Sequence, residues 1–244
     1  MIRPRCGGSG SMRALRVLLI VIVIFGGLFV AADRVAVNLA EDMAADKIRS
    51  SQGLGKTPEV AIKGFPFLTQ VAGRSLQEVD ADLGGIEARA EGHALRIDQL
   101  SAQFHDVTLN SDYTSIESAA TATGNARLNY ADLTKAAGGG VKITYAGQKN
   151  GRSQVKISPN LPLLSSLDVT GSLTIVGGNT VRLRADGLPA MCKAVPGCES
   201  KVRAQTDHDW KLDQLPGNLK LEKVVTMPDG ISISAAGKNV KLPG

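Results

Sequence analysis

The sequence predicts an α+β chain, mostly β, with an antiparallel sheet and an apolar N-terminal helix. Three observations carry this. Most of the chain after residue 55 alternates apolar and polar residues with period two. Glycines, 27 in all, sit at turn-like spacings between those segments. One uncharged run, Val17 to Ala32, precedes them. Strands with one apolar and one wet face mark antiparallel sheets, and the lack of long helices between them argues against a doubly wound fold.

The apolar run comes first. It reads VLLIVIVIFGGLFVAA, with Arg13 and Arg16 before it and Asp33 and Arg34 after. Such a segment partitions into a bilayer because each buried methylene contributes roughly 0.8 kcal/mol. Arginines stay on the cytoplasmic side, so the remainder is expected outside the cytoplasm. Sixteen helical residues reach about 24 Å, a little short of the roughly 30 Å hydrocarbon core, and snorkelling by Arg16 extends that reach. Val30-Ala31-Ala32 also suits a signal peptidase. A retained anchor and a cleaved signal therefore both stay open, with the anchor favoured by the helical pattern that continues beyond it. The expected division is a cytoplasmic tail at 1–12, an anchor or signal at 13–32, and an extracytoplasmic domain at 33–244. Met12 is an alternative start.

The next helix is expected from Asp33 to Arg49. Val35, Ala36, Leu39, Ala40, Met43, Ala44 and Ile48 recur on one face, while Asn38, Glu41, Asp42, Asp46 and Arg49 are expected to face away. A short helix is predicted at Ala131 to Ala137, with Asn129 at its start and Gly138 after it, and a third around Pro189 to Ala194. Strands are predicted around Val79–Leu83, Val141–Tyr145, Val155–Ile157, Val169–Ile175 and Val181–Ala185, with a last hairpin across Pro228-Asp229-Gly230. A sheet face this apolar must be covered by a helix, a second sheet or a ligand.

Cys192 and Cys198 enclose five residues, and Pro196-Gly197 supplies a turn between them. Outside the cytoplasm this pair is expected to form a structural disulfide. Cys6 lies on the cytoplasmic side, and no cysteine stands in position for lipoprotein anchoring.

Charge excludes one class of partner. The net charge is +5, but Arg3, Arg5, Arg13 and Arg16 precede the apolar run and no acid does. The exported part is therefore close to neutral. With aromatic residues at only 4%, neither a phosphate footprint nor a base-stacking platform is present, and no nucleic acid is expected as partner.

Catalytic constellations are thin. His93 and His105 read as surface or satisfied histidines. Asp207-His208-Asp209 alternate on an extended chain and cannot converge on one metal ion. Glu78, Asp80 and Asp82 share a strand face, which reads as solvated in the absence of a third catalytic partner. Gly138-Gly139-Gly140 lacks the lysine and hydroxyl of a phosphate loop, and no nucleophile elbow or zincin helix occurs. No catalytic residue, metal or cofactor is assigned.

Glu59 to Lys63 reads as a strand, followed by Gly64-Phe65-Pro66-Phe67-Leu68-Thr69-Gln70-Val71 and, three residues on, Arg74. Pro66 removes a ladder donor and places this stretch at an edge or lip. Phe65, Phe67 and Leu68 either plug the end of the core or line the mouth of an apolar cavity.

Here the chain resembles the LmeA-like phospholipid-binding family of actinobacterial cell-envelope proteins. The resemblance runs from about Asp33 to Leu242. It is carried by the membrane segment and acidic helix, G-F-P-F-L-T-Q at 64–70, V-D-A-D at 79–82 and Y-A-D-L at 130–133. L-P-G-N-L-K-L at 215–221 and G-I-S-I-S-A-A-G-K-N-V at 230–240 continue it in order. It implies a tubular lipid-binding-like architecture, with a strongly curved antiparallel sheet wrapped around a long amphipathic helix and an apolar lumen. It also implies binding of phospholipid, including anionic species, at the membrane, and a link to lipoglycan assembly.

On this reading Phe65, Phe67, Leu68 and Val71 contact acyl chains, and Arg74 meets the headgroup at the rim. Arg182 and Arg184 read as solvated, and the Leu161-Pro162-Leu163-Leu164 loop either caps the sheet or dips into a membrane. The alternatives are an envelope scaffold for a membrane glycosyltransferase, and an enzyme acting on a lipid-linked sugar.

Overall fold

The computed structural model describes residues 10–90, 93–137, 140–159, 168–188, 192, 196–212, 215 and 217–242. The expected helix near Pro189–Ala194 lies mostly outside these residues, as does the Leu161–Leu164 loop. The described residues begin with one unbroken 43-residue helix, α1 (Gly10–Gln52). It is long and apolar enough to cross a membrane, and its most apolar window is not buried at all by the rest of the protein. No glycine or proline stops it until Gly53, whose φ of 63° suits the residue just past a helix end.

Strands β1 (Glu59–Lys63), β2 (Ser75–Ala90), β3 (His93–Leu109), β4 (Ile116–Asn129), β11 (Gly230–Lys241) and β10 (Gly217–Met227) form a six-stranded antiparallel sheet in that spatial order. Strands β5 (Val141–Lys149), β6 (Arg152–Pro159), β7 (Val169–Val176), β8 (Thr180–Ala185) and β9 (His208–Lys211) form a second, five-stranded meander. Three short helices complete the described fold: α2 (Phe67–Ala72), α3 (Tyr130–Ala136) and α4 (Cys198–Thr206). The β face is thus divided between two sheets, and neither closes into a barrel. The register of β1 against β2, with Ile62 opposite Val79 and Lys63 opposite Glu78, makes β1 an edge strand just before Pro66.

Two cores hold the fold. The larger joins the sheets. Val141, Ile143, Val155, Ile157 and Leu183 from the second sheet meet Leu128, Val224, Ile231 and Ile233 from the first, with Leu133 of α3. Ile157 and Leu183 have no exposed surface. The Ser153 hydroxyl bridges the sheets, donating to the Val224 carbonyl (2.9 Å) and accepting from the Thr226 amide (3.2 Å). Asn129 caps α3 by accepting from the Asp132 amide at 2.8 Å, as its position before the helix predicts.

The smaller core lies at the other end of the first sheet. Phe67, Leu76, Val79, Val107 and Ala119 pack there with Val37 of α1, against Ala36 and Ala40. The face that α1 turns to the domain differs from the apolar stripe of its sequence. Asp33, Val37, Glu41 and Ala45 point inward, while Val35, Leu39 and Met43 remain exposed. Two inward carboxylates set that rotation: Glu41 Oε1 accepts from the Ile62 amide at 2.7 Å, and Asp33 Oδ1 from the Leu68 amide at 2.8 Å. Glu41 therefore faces the domain rather than solvent, because it satisfies an otherwise unpaired edge-strand donor.

Cys192 and Cys198 form a disulfide ahead of α4, and a small cluster of Val169, Ala185, Cys192 and Val202 packs beneath it.

Candidate functional site

The inner face of the six-stranded sheet is apolar across its whole width. Directly paired residues share a face, so the register writes out its rows. Val79, Phe104, Ala122, Gly237 and Leu219 form one row across five strands. Ala81, Ala102, Gly124, Ala235 and Leu221 form the next, and Leu83, Leu100, Ala126, Ile233 and Val224 the third. Ile86 and Ile97 pair further along.

Among the described residues the ends of this face are covered and its middle is not. The first row enters the core under α1 and α2, and Ile97 and Ala126 border the core between the sheets. Leu83, Leu100 and Ala102 are only half-buried and belong to neither core. Small residues in the second row deepen the surface there. A Cβ added at Gly124 would meet only the Ser101 carbonyl, at 3.7 Å, so nothing stands above that position among the described residues. The result is an open apolar trough. From the covered row of Val79 to Ile86 the whole apolar face runs seven residues, roughly 23 Å at the rise of a strand, and only its middle rows are left open. An acyl chain in one leaflet extends through roughly 15 Å of the hydrocarbon core.

At the end nearest α1 stands a lip built on α2. Phe65 is 54% exposed and Leu68 36%, whereas Phe67 is 6% exposed and sits in the smaller core. Val71 is half-buried and packs against the same core. Arg74 is half-buried, and its Nη2 donates to the Leu109 carbonyl at 3.0 Å. The five residues singled out in the sequence thus stand together, but in two layers: Phe65 and Leu68 outward, Phe67 and Val71 beneath them.

The lip is fastened by a residue that sequence reasoning had only placed at the end of the apolar run. Asp33 has no exposed surface. Besides the Leu68 amide it accepts from Arg34 Nη2 at 2.7 Å. Burial pushes its carboxyl up, but the Leu68 amide, Arg34 and the Phe67 amide together hold it below the ordinary value. It serves as the cap that Pro66, with no side-chain hydrogen bond of its own, does not provide for α2. The Arg34 guanidinium in turn lies over the Phe65 ring, 5.2 Å from its centroid. The only prior signal for Asp33 was a charge directly after an apolar run, which ordinarily marks a span end.

The opposite face of the sheet is polar and internally paired. Lys63 Nζ reaches Glu78 at 2.6 Å and Asp80 at 2.5 Å, and these carboxylates raise its proton affinity, Asp80 first. Glu78 also accepts from Gln103 and faces His105 at 3.5 Å, and Ser101 donates to Asp82. Side-chain contacts of His93 lie outside the described residues. On the second sheet Arg182 and Arg184 are not simply solvated. Both bond Asp209, whose carboxyl they hold below its ordinary value, Arg182 first. Asp207 accepts from the Ala185 amide and, like Asp209, lies beside Arg184, while His208 stacks on Trp210, so the two acids share a side and His208 turns to the other as alternation requires. Among the described residues no group of three or more His, Cys, Asp or Glu is arranged to hold a metal ion.

Two clefts occur elsewhere. One of about 450 Å³ lies between α1 and the start of β1, lined by Glu41, Asp42, Asp46, Thr57 and Glu59. Another of about 270 Å³ is lined by Asp98, Arg127, Asn129 and Asp229 among others. Charged side chains are part of the lining of both, so neither offers a continuous apolar surface like that of the sheet. The enclosed lumen implied by the resemblance is thus replaced by an open trough, because the two sheets do not close on each other.

A family model described as LmeA-like phospholipid-binding matches residues 31–236. No match was found among curated proteins or among solved structures.

Proposed function

Because the chain belongs to the LmeA-like phospholipid-binding family, we propose that it holds the acyl chains of a phospholipid along the trough of the six-stranded sheet. Access is past Phe65 and Leu68, with Phe67 and Val71 as the floor of the lip and Arg74 at its rim. α1 anchors the domain on the outer side of a cell membrane, and the cargo is drawn from the envelope. The protein carries or presents lipid and performs no bond chemistry.

The observation that carries this reading is the middle of the trough. Leu83 and Leu100 are large side chains left half-buried in a soluble-type sheet, between two cores that each pack tightly. Each methylene of a lipid tail laid there contributes roughly 0.8 kcal/mol. The clefts elsewhere provide no comparable continuous apolar surface, and on the opposite face Glu78 and Asp80 share the single ammonium of Lys63.

Native mass spectrometry of the detergent-purified full chain tests it, with phospholipid expected to co-purify. Leu100→Asp places a charge in the trough and is expected to remove most bound lipid while circular dichroism stays unchanged. Equal occupancy in a folded Leu100→Asp protein counts against the trough. Phe67→Asp is a poorer test, because Phe67 belongs to the smaller core and its replacement also destabilises the fold.

A further inference from the structure

The lip has a height as well as a composition. Leu68 is bonded to Asp33, and Phe65 lies against Arg34. Those two α1 residues directly follow Ala32, the last of the apolar run. No loop intervenes, since α1 is one helix from Gly10 to Gln52. At a rise of about 1.5 Å per residue, Arg34 is only about 3 Å beyond the end of the run. Whatever plane the run ends in is therefore the plane of Phe65 and Leu68.

We propose that the lip is seated in the headgroup layer of the bilayer that α1 spans, so that the trough opens onto the same leaflet. The inference rests on the anchored reading of α1 given above. The chemistry of the surface fits that layer. Phe65 and Leu68 are exposed apolar side chains next to a half-exposed Arg34, an aromatic and a cation side by side. Apolar side chains with a basic group beside them suit the boundary between acyl chains and phosphates. Asp33, the acid beside Arg34 on α1, is turned inward and covered. Its negative charge is matched by Arg34 at 2.7 Å and by the α2 amides, so this carboxylate does not face the lipid phosphates. Asp33 is the latch that keeps the lip at this height: without it α2 is joined to α1 at this level only through packing.

A depth measurement decides the matter. The full chain carrying Phe65→Cys in a Cys6→Ser background is labelled with an environment-sensitive fluorophore. It is reconstituted in vesicles of phosphatidylcholine and phosphatidylglycerol. Phospholipid brominated near the glycerol end of its acyl chains is expected to quench this label, and aqueous iodide is expected to leave it largely untouched. A label at Lys201, on α4 of the far sheet, is expected to behave in the reverse way. A residue-65 label quenched by iodide and indifferent to brominated lipid overturns the proposal. Adding Asp33→Asn is expected to remove most of the lipid quenching; retention of full quenching in that variant overturns the latch. Should Asp33→Asn fail to fold, the depth of the residue-65 label decides alone. Lipid occupancy is read separately by native mass spectrometry. A lipid-loaded protein with a dry label defeats only the seated lip, and a lipid-free protein with an immersed label defeats only the trough.

Discussion

Asp33 is a carboxylate with no exposed surface that the fold nevertheless holds as an anion. Desolvation alone favours the protonated form, and two amides plus one guanidinium reverse the sign. A consequence for pH follows directly. The proton affinity of the folded state is depressed relative to the ordinary value of 3.8, so the latch contributes fully above that pH. Its contribution fades as pH falls below 3.8 through the folded value. Amide chemical shifts of Leu68 and Phe67 are expected to titrate together in that acid range and to lose the titration in Asp33→Asn. A titration centred above 3.8 contradicts the assignment. Tyr130 shows the opposite balance at another joint of the fold. Burial pushes its hydroxyl up to about 12, and it stays a donor to the Met227 carbonyl at 2.7 Å.

At the scale of elements, the trough depends on what its middle row omits. Ala81, Ala102, Gly124 and Ala235 lie side by side, with Phe104 and Leu100 flanking Ala102 and only Ala122 and Ala126 flanking Gly124. Gly124→Leu is expected to fill the depression and to reduce co-purified lipid several-fold. It should shift thermal stability little, because the new side chain enters open space. A folded Gly124→Leu protein that keeps its lipid argues that tails lie elsewhere.

Much of this element layer was legible in the sequence. Glu59–Lys63 is a strand with the bounds that its alternation suggests. The helix expected at 131–137 occurs as Tyr130–Ala136, capped by the residue named for it. The last hairpin turns at Pro228-Asp229, between Met227 and Gly230. Period two encodes which residues share a face, but not which strand lies alongside. The split into two sheets, where β11 pairs β4 across a hundred residues, therefore had no local signature. α2 was hidden for a different reason. Six residues show too little periodicity, and the cap for α2 comes from Asp33, 34 residues before its first residue. A second long-range bond, from the Ile62 amide to Glu41, explains why α1 turns Glu41 inward and leaves Val35, Leu39 and Met43 outside, against its own hydrophobic pattern.

For the molecule as a whole, the two cores sit at opposite ends of one sheet, bridged by strands whose middle packs lightly. They need not lose structure together. Leu183→Ala removes a side chain with no exposed surface from the larger core and is expected to cost about 2–5 kcal/mol. Hydrogen exchange in that variant should lose protection first in the second sheet and α3, with the amides of β1 and α2 affected least. Uniform loss across both ends would show one cooperative unit instead. The 43-residue α1 also sets a limit on range. A binding domain on a floppy tether can sweep a wide hemisphere and meet a distant acceptor. One mounted on a stiff post, about 64 Å long at helical rise, turns about its axis and drifts sideways but gains no altitude. On the anchored, lipid-holding reading proposed above, cargo handed to anything beyond arm's length must be fetched by the recipient while the post stays in place, and only severing the post makes a shuttle of it.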